Sequence, residues 1–507
     1  MTTVNDKVAL EAGNHLDRGI AEAQIHLARH AACRLVMPLL VMELSNVIGL
    51  GFYDEELASL DDQRRIFFEG DPPGVIAEKT RAKARLPGKL DIMLRDFNAA
   101  FENRLDWCFE GISYRQSFGT NAPALSRIVS HISELTKTLA SARNDQAAYT
   151  IWERFRKRYI NELNPTSSGW IPPEVVHLCT QLLDADYFHA IHDPFAGAGT
   201  LLTDAASHAR ERPSWAEESV YTGHEANREL ASLACLSTAF LPKAPDACIT
   251  NRDALFEPCL EPQTGQLQQY PNIISNLSFG HPQELHLEEL KDVHNRFKSG
   301  IPSSNCPDLA RLLHVISILA DNVAGDQKTP GRAVCLIRPA ALERSGGDAI
   351  IRGKIIEQNL IEAVIRLPRK VVPGVSAGAC ILILTTEKHS DEIIFVDATS
   401  DYKAGRSYNE LTERGIKSIQ KSILGAREGW PLLDDTLVAT VSARDVLVHG
   451  ANLSVTKYVE SKARASIKAV SDNSIQASGV SETLSQLSES ISSFDHSLTK
   501  IEKILEQ

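Results

Sequence analysis

His192-Asp193-Pro194-Phe195-Ala196-Gly197-Ala198-Gly199-Thr200-Leu201-Leu202 follows the short apolar run Ala190 to His192 and leads into helical text from Leu201 to Arg210. A strand, a glycine turn and a helix in that order let the backbone approach a ligand closely and aim free N–H groups at it. The pattern marks a nucleotide-type site. It lacks the third glycine of the dinucleotide fingerprint and the Gly-Lys-Ser/Thr ending of a phosphate loop. Asp193, Phe195, Ala196, Gly197, Gly199 and Thr200 are therefore the candidate cofactor-binding residues of this turn.

Two acids follow in order. Thr222-Gly223-His224-Glu225-Ala226-Asn227 places Glu225 at the end of the next candidate strand, where a carboxylate can accept hydrogen bonds from both ribose hydroxyls. Ile249-Thr250-Asn251-Arg252-Asp253-Ala254-Leu255 ends a third strand with Asp253. Alone, either acid reads as a solvated turn residue. Together and in this order they suit an adenosine, whose ribose and exocyclic amine both need acceptors.

Working outward, the runs Ala190 to His192, Val220 to Gly223, Ile273 to Ser275, Ala333 to Ile337, Ala363 to Leu367 and Cys380 to Thr385 alternate with helical segments. That alternation predicts an α/β domain with a mainly parallel sheet, densest from 166 to about 400. Upstream, Ile20, Ile25, Leu27, Leu35, Leu39 and Leu40 recur at helical spacing, and more helical text runs from Leu90 to Tyr159. The first third reads as a helical domain, interrupted near Gly70 to Gly88 by a surface loop rich in Pro, Gly and charge. At the other end Val480, Leu484, Leu487, Ile491, Phe494, Leu498, Ile501 and Leu505 form a heptad seam among serines and charges. The seam predicts a C-terminal coiled-coil-like helix that packs either on a partner or on the N-terminal helices.

A chain of 507 residues with 43% hydrophobic residues buries large cores and holds more than one domain. Its net charge of −12 excludes coating of nucleic acid by bulk attraction, so any DNA contact is local or supplied by a partner. Nine scattered cysteines with no Cys-x-x-Cys pair suggest neither a disulfide framework nor a cysteine zinc site. With no signal-like N-terminus and no uninterrupted apolar span, the expected setting is a reducing cytoplasm without membrane contact.

The fourth strand ends in Ile273-Ile274-Ser275-Asn276-Leu277-Ser278-Phe279-Gly280. With the preceding motifs, this order and spacing resembles S-adenosylmethionine-dependent N6-adenine DNA methyltransferases, whose fourth strand ends in Asn-Pro-Pro followed by Tyr or Phe. The resemblance implies that the side-chain oxygen of Asn276 and the carbonyl of Leu277 accept the target amine, while Phe279 stacks on the flipped base. Leu277 and Ser278 stand where that family has its two prolines, so the rigid backbone that aims the carbonyl is missing. Gly169-Trp170-Ile171-Pro172-Pro173 occupies the place of the family's aromatic-Thr-Pro phrase, with Ile171 at the cofactor position normally held by a hydroxyl.

More of the chain resembles the modification subunits of type I restriction–modification systems. The similarity runs through Gly331 to Pro339, Ile350 to Pro368, Ala379 to Leu384, Ile394 to Ala398, Val441 to Val446 and Asn452 to Val459. It implies an N-terminal helical domain, 1–165, a Rossmann-like methyltransferase domain, 166–460, and a C-terminal helix, 461–507. It further implies S-adenosylmethionine as cofactor and double-stranded DNA as substrate. A separate specificity subunit would be held through the C-terminal helix, within a restriction or defence complex that can include a nuclease. Leu277, Ser278 and Ile171 keep a second expectation open: a catalytically inactive relative that serves DNA sensing or assembly.

Weaker signals point elsewhere. Gly374-Val375-Ser376-Ala377-Gly378 fits a hydrolase nucleophile pattern, but a strand follows it where a helix is needed, so it reads as a loop. His26 with His30, and His281 with His286, lack the third ligand of a zinc site. From Arg338 to Lys370, seven basic residues face four acidic ones, either a phosphate-facing edge or a solvated mixed face.

Overall fold

The computed structural model describes residues 4–48, 83–100, 105–142, 145–163, 170–183, 190–210, 220–239, 247–279, 290, 292–324, 327–373, 375–388, 390–428 and 437–460. The expected C-terminal helix, and the Gly70 to Gly88 stretch as far as residue 82, lie outside these residues.

Five long helices come first: α1 (Val4–Gln24), α2 (Arg29–Ile48), α3 (Leu86–Ala100), α4 (Ala122–Ala142) and α5 (Asp145–Leu163). On α1 the buried residues are Ala12, Leu16, Ile20 and Ala23, one stripe at helical period. Trp152, Phe155 and Tyr159 form the matching stripe on α5, with the Trp152 and Phe155 rings 5.6 Å apart. The expected loop does not reach Gly88, because Leu86-Pro87-Gly88 opens α3. Proline suits the first turn of a helix, where its missing N–H has no intrahelical partner, and Leu86 buries its side chain there.

The rest alternates as the sequence predicts. The elements run α6 (Pro173–Leu183), β1 (Ala190–Asp193), α7 (Thr200–Arg210), β2 (Val220–Glu225), α8 (Arg228–Ala239), β3 (Ala247–Asn251) and β4 (Asn272–Asn276). They continue with α9 (Pro307–Ile318), β5 (Arg332–Ile337), α10 (Gly347–Glu357), β6 (Ile361–Arg366), β7 (Cys380–Thr385), β8 (Glu392–Asp397), α11 (Glu413–Glu428) and β9 (Val438–Ser442). One nine-stranded sheet results, in the order β9-β8-β6-β7-β5-β4-β1-β2-β3. Neighbours pair in parallel except around β7 and at the β8–β9 edge. Strands β4 to β7 are buried along almost their whole length, as a sheet covered by helices on both faces requires.

The strand order reverses between β1 and β4, which pair directly. In an open α/β sheet the carboxyl ends of the strands at such a switch point form the ligand crevice. Asp193 and Asn276 terminate those two strands. The helical layer does not stand apart: one apolar cluster runs from α1, α2, α4 and α5 into Trp170, Ala198, Leu233 and Leu236. Among the described residues no helix is long and apolar enough to cross a membrane.

Candidate cofactor and target-base site

Asp193 closes β1 and is buried; its Oδ1 accepts the Phe195 N–H at 3.0 Å and the Ser275 hydroxyl at 2.6 Å. It therefore ties the turn after β1 to the end of β4. Burial pushes its carboxyl up to about 7, against the pull of those two donors. Gly197 and Gly199 follow at φ +56° and +78°, in the left-handed region that glycine enters without steric cost. A Cβ on Gly199 would lie 2.9 Å from the Ala234 Cα, whereas one on Gly197 would meet nothing within 4 Å. Gly199 thus serves the packing of the turn on α8, and Gly197 faces an open cradle. Thr200 begins α7.

Glu225 ends β2 beneath this turn. Its two oxygens accept the N–H groups of Gly197 at 2.9 Å and Asn227 at 2.7 Å, so each retains further lone-pair capacity. Burial raises its carboxyl despite these donors. Asp253, partly exposed beyond β3, accepts the Leu255 N–H at 2.9 Å. The open cradle at Gly197 and the two acids at its side fit an adenosine-bearing cofactor.

The loop after β4 is closed on itself. Asn276 accepts the N–H of Phe279 at 2.9 Å and of Ser278 at 3.2 Å on Oδ1, and its Nδ2 donates to the Phe279 carbonyl at 2.6 Å. Leu277 donates its N–H to the Leu336 carbonyl at 2.9 Å, and Ser278 Oγ accepts the Arg338 N–H at 2.9 Å. Prolines at 277 and 278 would supply neither N–H, so two of these bonds exist because the prolines are absent. The Leu277 carbonyl accepts Nη1–H of Arg311 at 2.8 Å. Phe279 is 4% exposed and shares an apolar cluster with Ile171, Val371 and Val372.

Sequence reading passed over several residues that hold this site. Arg311, 3% exposed on α9, lies with its guanidinium 5.9 Å from the Phe195 ring centroid, and burial lowers it to about 10. The sequence carried little signal of it, since an arginine among the apolar residues of Pro307–Ile318 reads as readily as one whose head reaches solvent. Arg156 of α5 donates to the Ala198 carbonyl at 3.2 Å, so the helical layer holds the glycine turn. Next to the site His192 stacks on Tyr270 with centroids 3.6 Å apart, and His224 stands 4.9 Å from His192.

The basic run resolves into internal contacts. Arg338 pairs with Asp308, Arg344 donates to the Asn305 carbonyl, buried Arg352 donates to the Ala341 and Ala451 carbonyls, and Arg366 binds Thr456. Among the described residues only Lys354, Arg369 and Lys370 of the seven are exposed without such a side-chain contact. His281 and His286 lie outside the described residues, and among those described no group of three or more His, Cys, Asp or Glu could hold a metal ion. Val375 to Ala379 form irregular backbone ahead of β7, with no helix following.

Sheet order, glycine turn and paired acids define an α/β fold of the S-adenosylmethionine-dependent methyltransferase type. Residues 150–466 match the family described as N-6 DNA Methylase, more than half of the sequence, and the chain belongs to that family. It is 25% identical over 350 residues to the type I restriction enzyme MjaVIII methylase subunit of Methanocaldococcus jannaschii, covering 66% of this chain and 56% of the relative. The MjaVII methylase subunit of the same organism is 26% identical over 298 residues, 57% of this chain and 49% of the relative. The chain thus matches about half the length of these relatives. Among solved structures, the type I restriction–modification methyltransferase subunit of Streptococcus thermophilus superposes with a TM-score of 0.64 at 18% identity, covering 89% and 99% of the two chains. A type I restriction–modification assembly gives 0.60 at 14% identity, over 95% and 98%.

Proposed function

We propose that this chain methylates N6 of adenine in double-stranded DNA, as the modification subunit of a restriction or defence complex. The reading is carried by the open glycine cradle with Glu225 beneath it, beside Asn276 across the switch point, in a member of the N-6 DNA Methylase family. S-adenosylmethionine supplies a methyl group on a sulfonium, to which the amine lone pair is directed. Asp193 and Gly199 shape the turn, while Phe195, Ala196, Gly197 and Thr200 line the cofactor. Glu225 accepts from its ribose, Asp253 from its adenine, and Ile171 packs near its methionine end. Asn276 Oδ1 and the Leu277 carbonyl accept the target amine and favour the tetrahedral nitrogen of the transition state. The 3.2 Å bond from Ser278 is the one that yields a lone pair to that amine. Phe279 stacks on the extruded base once the loop opens around it.

The proposed division is a helical domain, 1–165, a methyltransferase domain, 166–460, and a C-terminal helix, 461–507. A separate specificity subunit chooses the DNA sequence in this reading. The seam from Val480 to Leu505 is its proposed docking element, and the complex, extended by a nuclease or other defence subunit, supplies the positive surface that a net charge of −12 denies this chain. One observation favours a second reading, a binding-competent but inactive subunit: the Leu277 carbonyl already holds a donor from Arg311.

The test is calorimetric titration of S-adenosylmethionine, followed by tritiated methyl transfer to mixed-sequence duplex DNA, with the specificity subunit present. Binding with transfer to adenine is the expected result. Binding without transfer establishes the inactive reading, and absence of both rejects the proposed site.

A further inference from the structure

A guanidinium lies between the glycine turn and the acceptor loop. Arg311 projects from α9, donates Nη1–H to the Leu277 carbonyl at 2.8 Å and lies 5.9 Å from the ring centroid of Phe195. Asp308, one turn earlier and 1% exposed, stands 3.9 Å from the same nitrogen and accepts Arg338 Nε–H at 2.7 Å. The Arg338 backbone N–H returns to Ser278 Oγ at 2.9 Å. Leu277 and Ser278 are therefore fixed from both sides by an Arg–Asp–Arg set in which Arg311 and Asp308 are buried and Arg338 is half-buried.

Resting on the methyl-transfer reading, we infer that Arg311 is a positioning residue that aims the Leu277 carbonyl, replacing with a charge-assisted hydrogen bond the rigidity that paired prolines give the family's acceptor loop. In the resting loop two hydrogen bonds unavailable to proline, from Leu277 N–H to Leu336 and from Ser278 N–H to Asn276, hold its path. The Ser278 N–H and the Leu277 carbonyl share one peptide plane, so once the Ser278 bond yields to the target amine, Arg311 holds the direction of that carbonyl. A carbonyl oxygen has two lone pairs; the guanidinium takes one and fixes the other toward the cleft. A cation so near a nitrogen that gains positive charge would oppose transfer, but Asp308, Asp253 and Glu225 act on Arg311 against one further cation, Arg338, and so offset it. The planar fork suits this task better than a lysine, whose ammonium is a point charge on a mobile stem.

The experiment compares wild type, R311K and R311M as full chains with the specificity subunit. Hydrogen exchange over Asn272–Phe279 is measured beside calorimetric binding of S-adenosylmethionine and methyl-transfer kinetics on mixed-sequence duplex DNA. In R311M the amides of Leu277 to Phe279 are expected to exchange about tenfold faster. Its kcat is expected to fall on the order of 10²-fold while cofactor Kd and DNA KM stay unchanged, and R311K recovers part of both losses. Unaltered exchange in R311M overturns the inference. So does a rise in kcat or a fall in DNA KM, which would make the guanidinium a competitor of the target amine. If wild type binds cofactor but transfers nothing, the functional reading fails, and the exchange measurement still decides whether Arg311 fixes the loop.

Discussion

Gly197 and Gly199 share a positive φ, yet their substitutions should fail in different ways. At Gly199 the alanine methyl would be driven to 2.9 Å from the Ala234 Cα, a backbone atom that moves only with the whole of α8. Strain in φ adds to that contact, so Gly199→Ala should destabilise the protein by about 2–4 kcal/mol. At Gly197 no atom lies within 4 Å of the added methyl, leaving only the φ cost of about 1–2 kcal/mol. The methyl instead fills the cradle where the cofactor backbone contact is expected. Thermal unfolding and calorimetric titration of both variants separate these effects: Gly199→Ala should lose stability first, Gly197→Ala cofactor affinity first. Equal loss of affinity with no difference in stability would contradict the roles assigned to the two positions. Glycine spacing showed a ligand turn in the sequence, but the division of labour between the glycines depends on Ala234, thirty-five positions downstream and invisible to local pattern.

Strands β1 and β2 with helix α9 bring three imidazoles into the interior: His192, His224 and His314. Burial is the leading cause at each, holding His192 well below its ordinary value, His224 at about 4 and His314 at about 3; neighbouring Arg296 adds to the effect at His314, and Arg252 at His224. A histidine depressed in the folded state is protonated first in the unfolded chain. Each one therefore lowers stability by about 1.4 kcal/mol per pH unit from about 6.5 down to its folded value, and adds nothing above 6.5. Asp193 acts in the opposite sense, because its raised carboxyl binds a proton first in the folded state and contributes stability as pH falls below about 7. The three imidazoles, with His131, pull the urea midpoint down between pH 7 and pH 5, opposed by Asp193 and by Glu225, Asp204 and Glu174, whose carboxyls burial also raises. His314→Gln, which keeps an acceptor for the Arg296 N–H seen at 3.2 Å, should flatten that fall by about one group's share. A pH dependence identical to wild type would mean that folding leaves the proton affinity of His314 unchanged. At this scale the sequence was most legible in the continuous apolar runs that became β1, β2 and β4 to β7. It was least legible where one polar residue interrupts such a run, because the partners lie elsewhere in the chain: Leu277 after β4 for Arg311, and Arg296 before α9 and Phe195 after β1 for His314.

On the scale of the whole chain, the boundary at 165 and 166 follows a change in sequence texture, but the apolar packing crosses it. Trp170, Ala198, Leu233 and Leu236 belong to the same cluster as Trp152, Phe155 and Tyr159. Polar contacts cross with it: Trp152 Nε1–H donates to Ser237 Oγ at 2.9 Å, and Arg156 reaches the Ala198 carbonyl and Thr203 Oγ1. A fragment of residues 166–460 would expose one face of α8 and leave the glycine turn without its arginine. Burying a side chain of Leu or Trp size is worth about 1.5–3 kcal/mol, so losing the cover over Trp170, Leu233 and Leu236 removes a large part of the roughly 5–15 kcal/mol that keeps a domain folded. The fragment should therefore unfold broadly and bind a hydrophobic dye, where the intact chain unfolds sharply. Arg156→Met in the full chain keeps the apolar cover and tests the polar link alone. Its cofactor affinity should drop about tenfold, since a charged hydrogen bond to the turn is lost, while the unfolding temperature moves by only a few degrees. A fragment that melts sharply at the temperature of the full chain would show the helical layer to be an attachment; a broad transition together with weakened binding in Arg156→Met would make it part of the cofactor site.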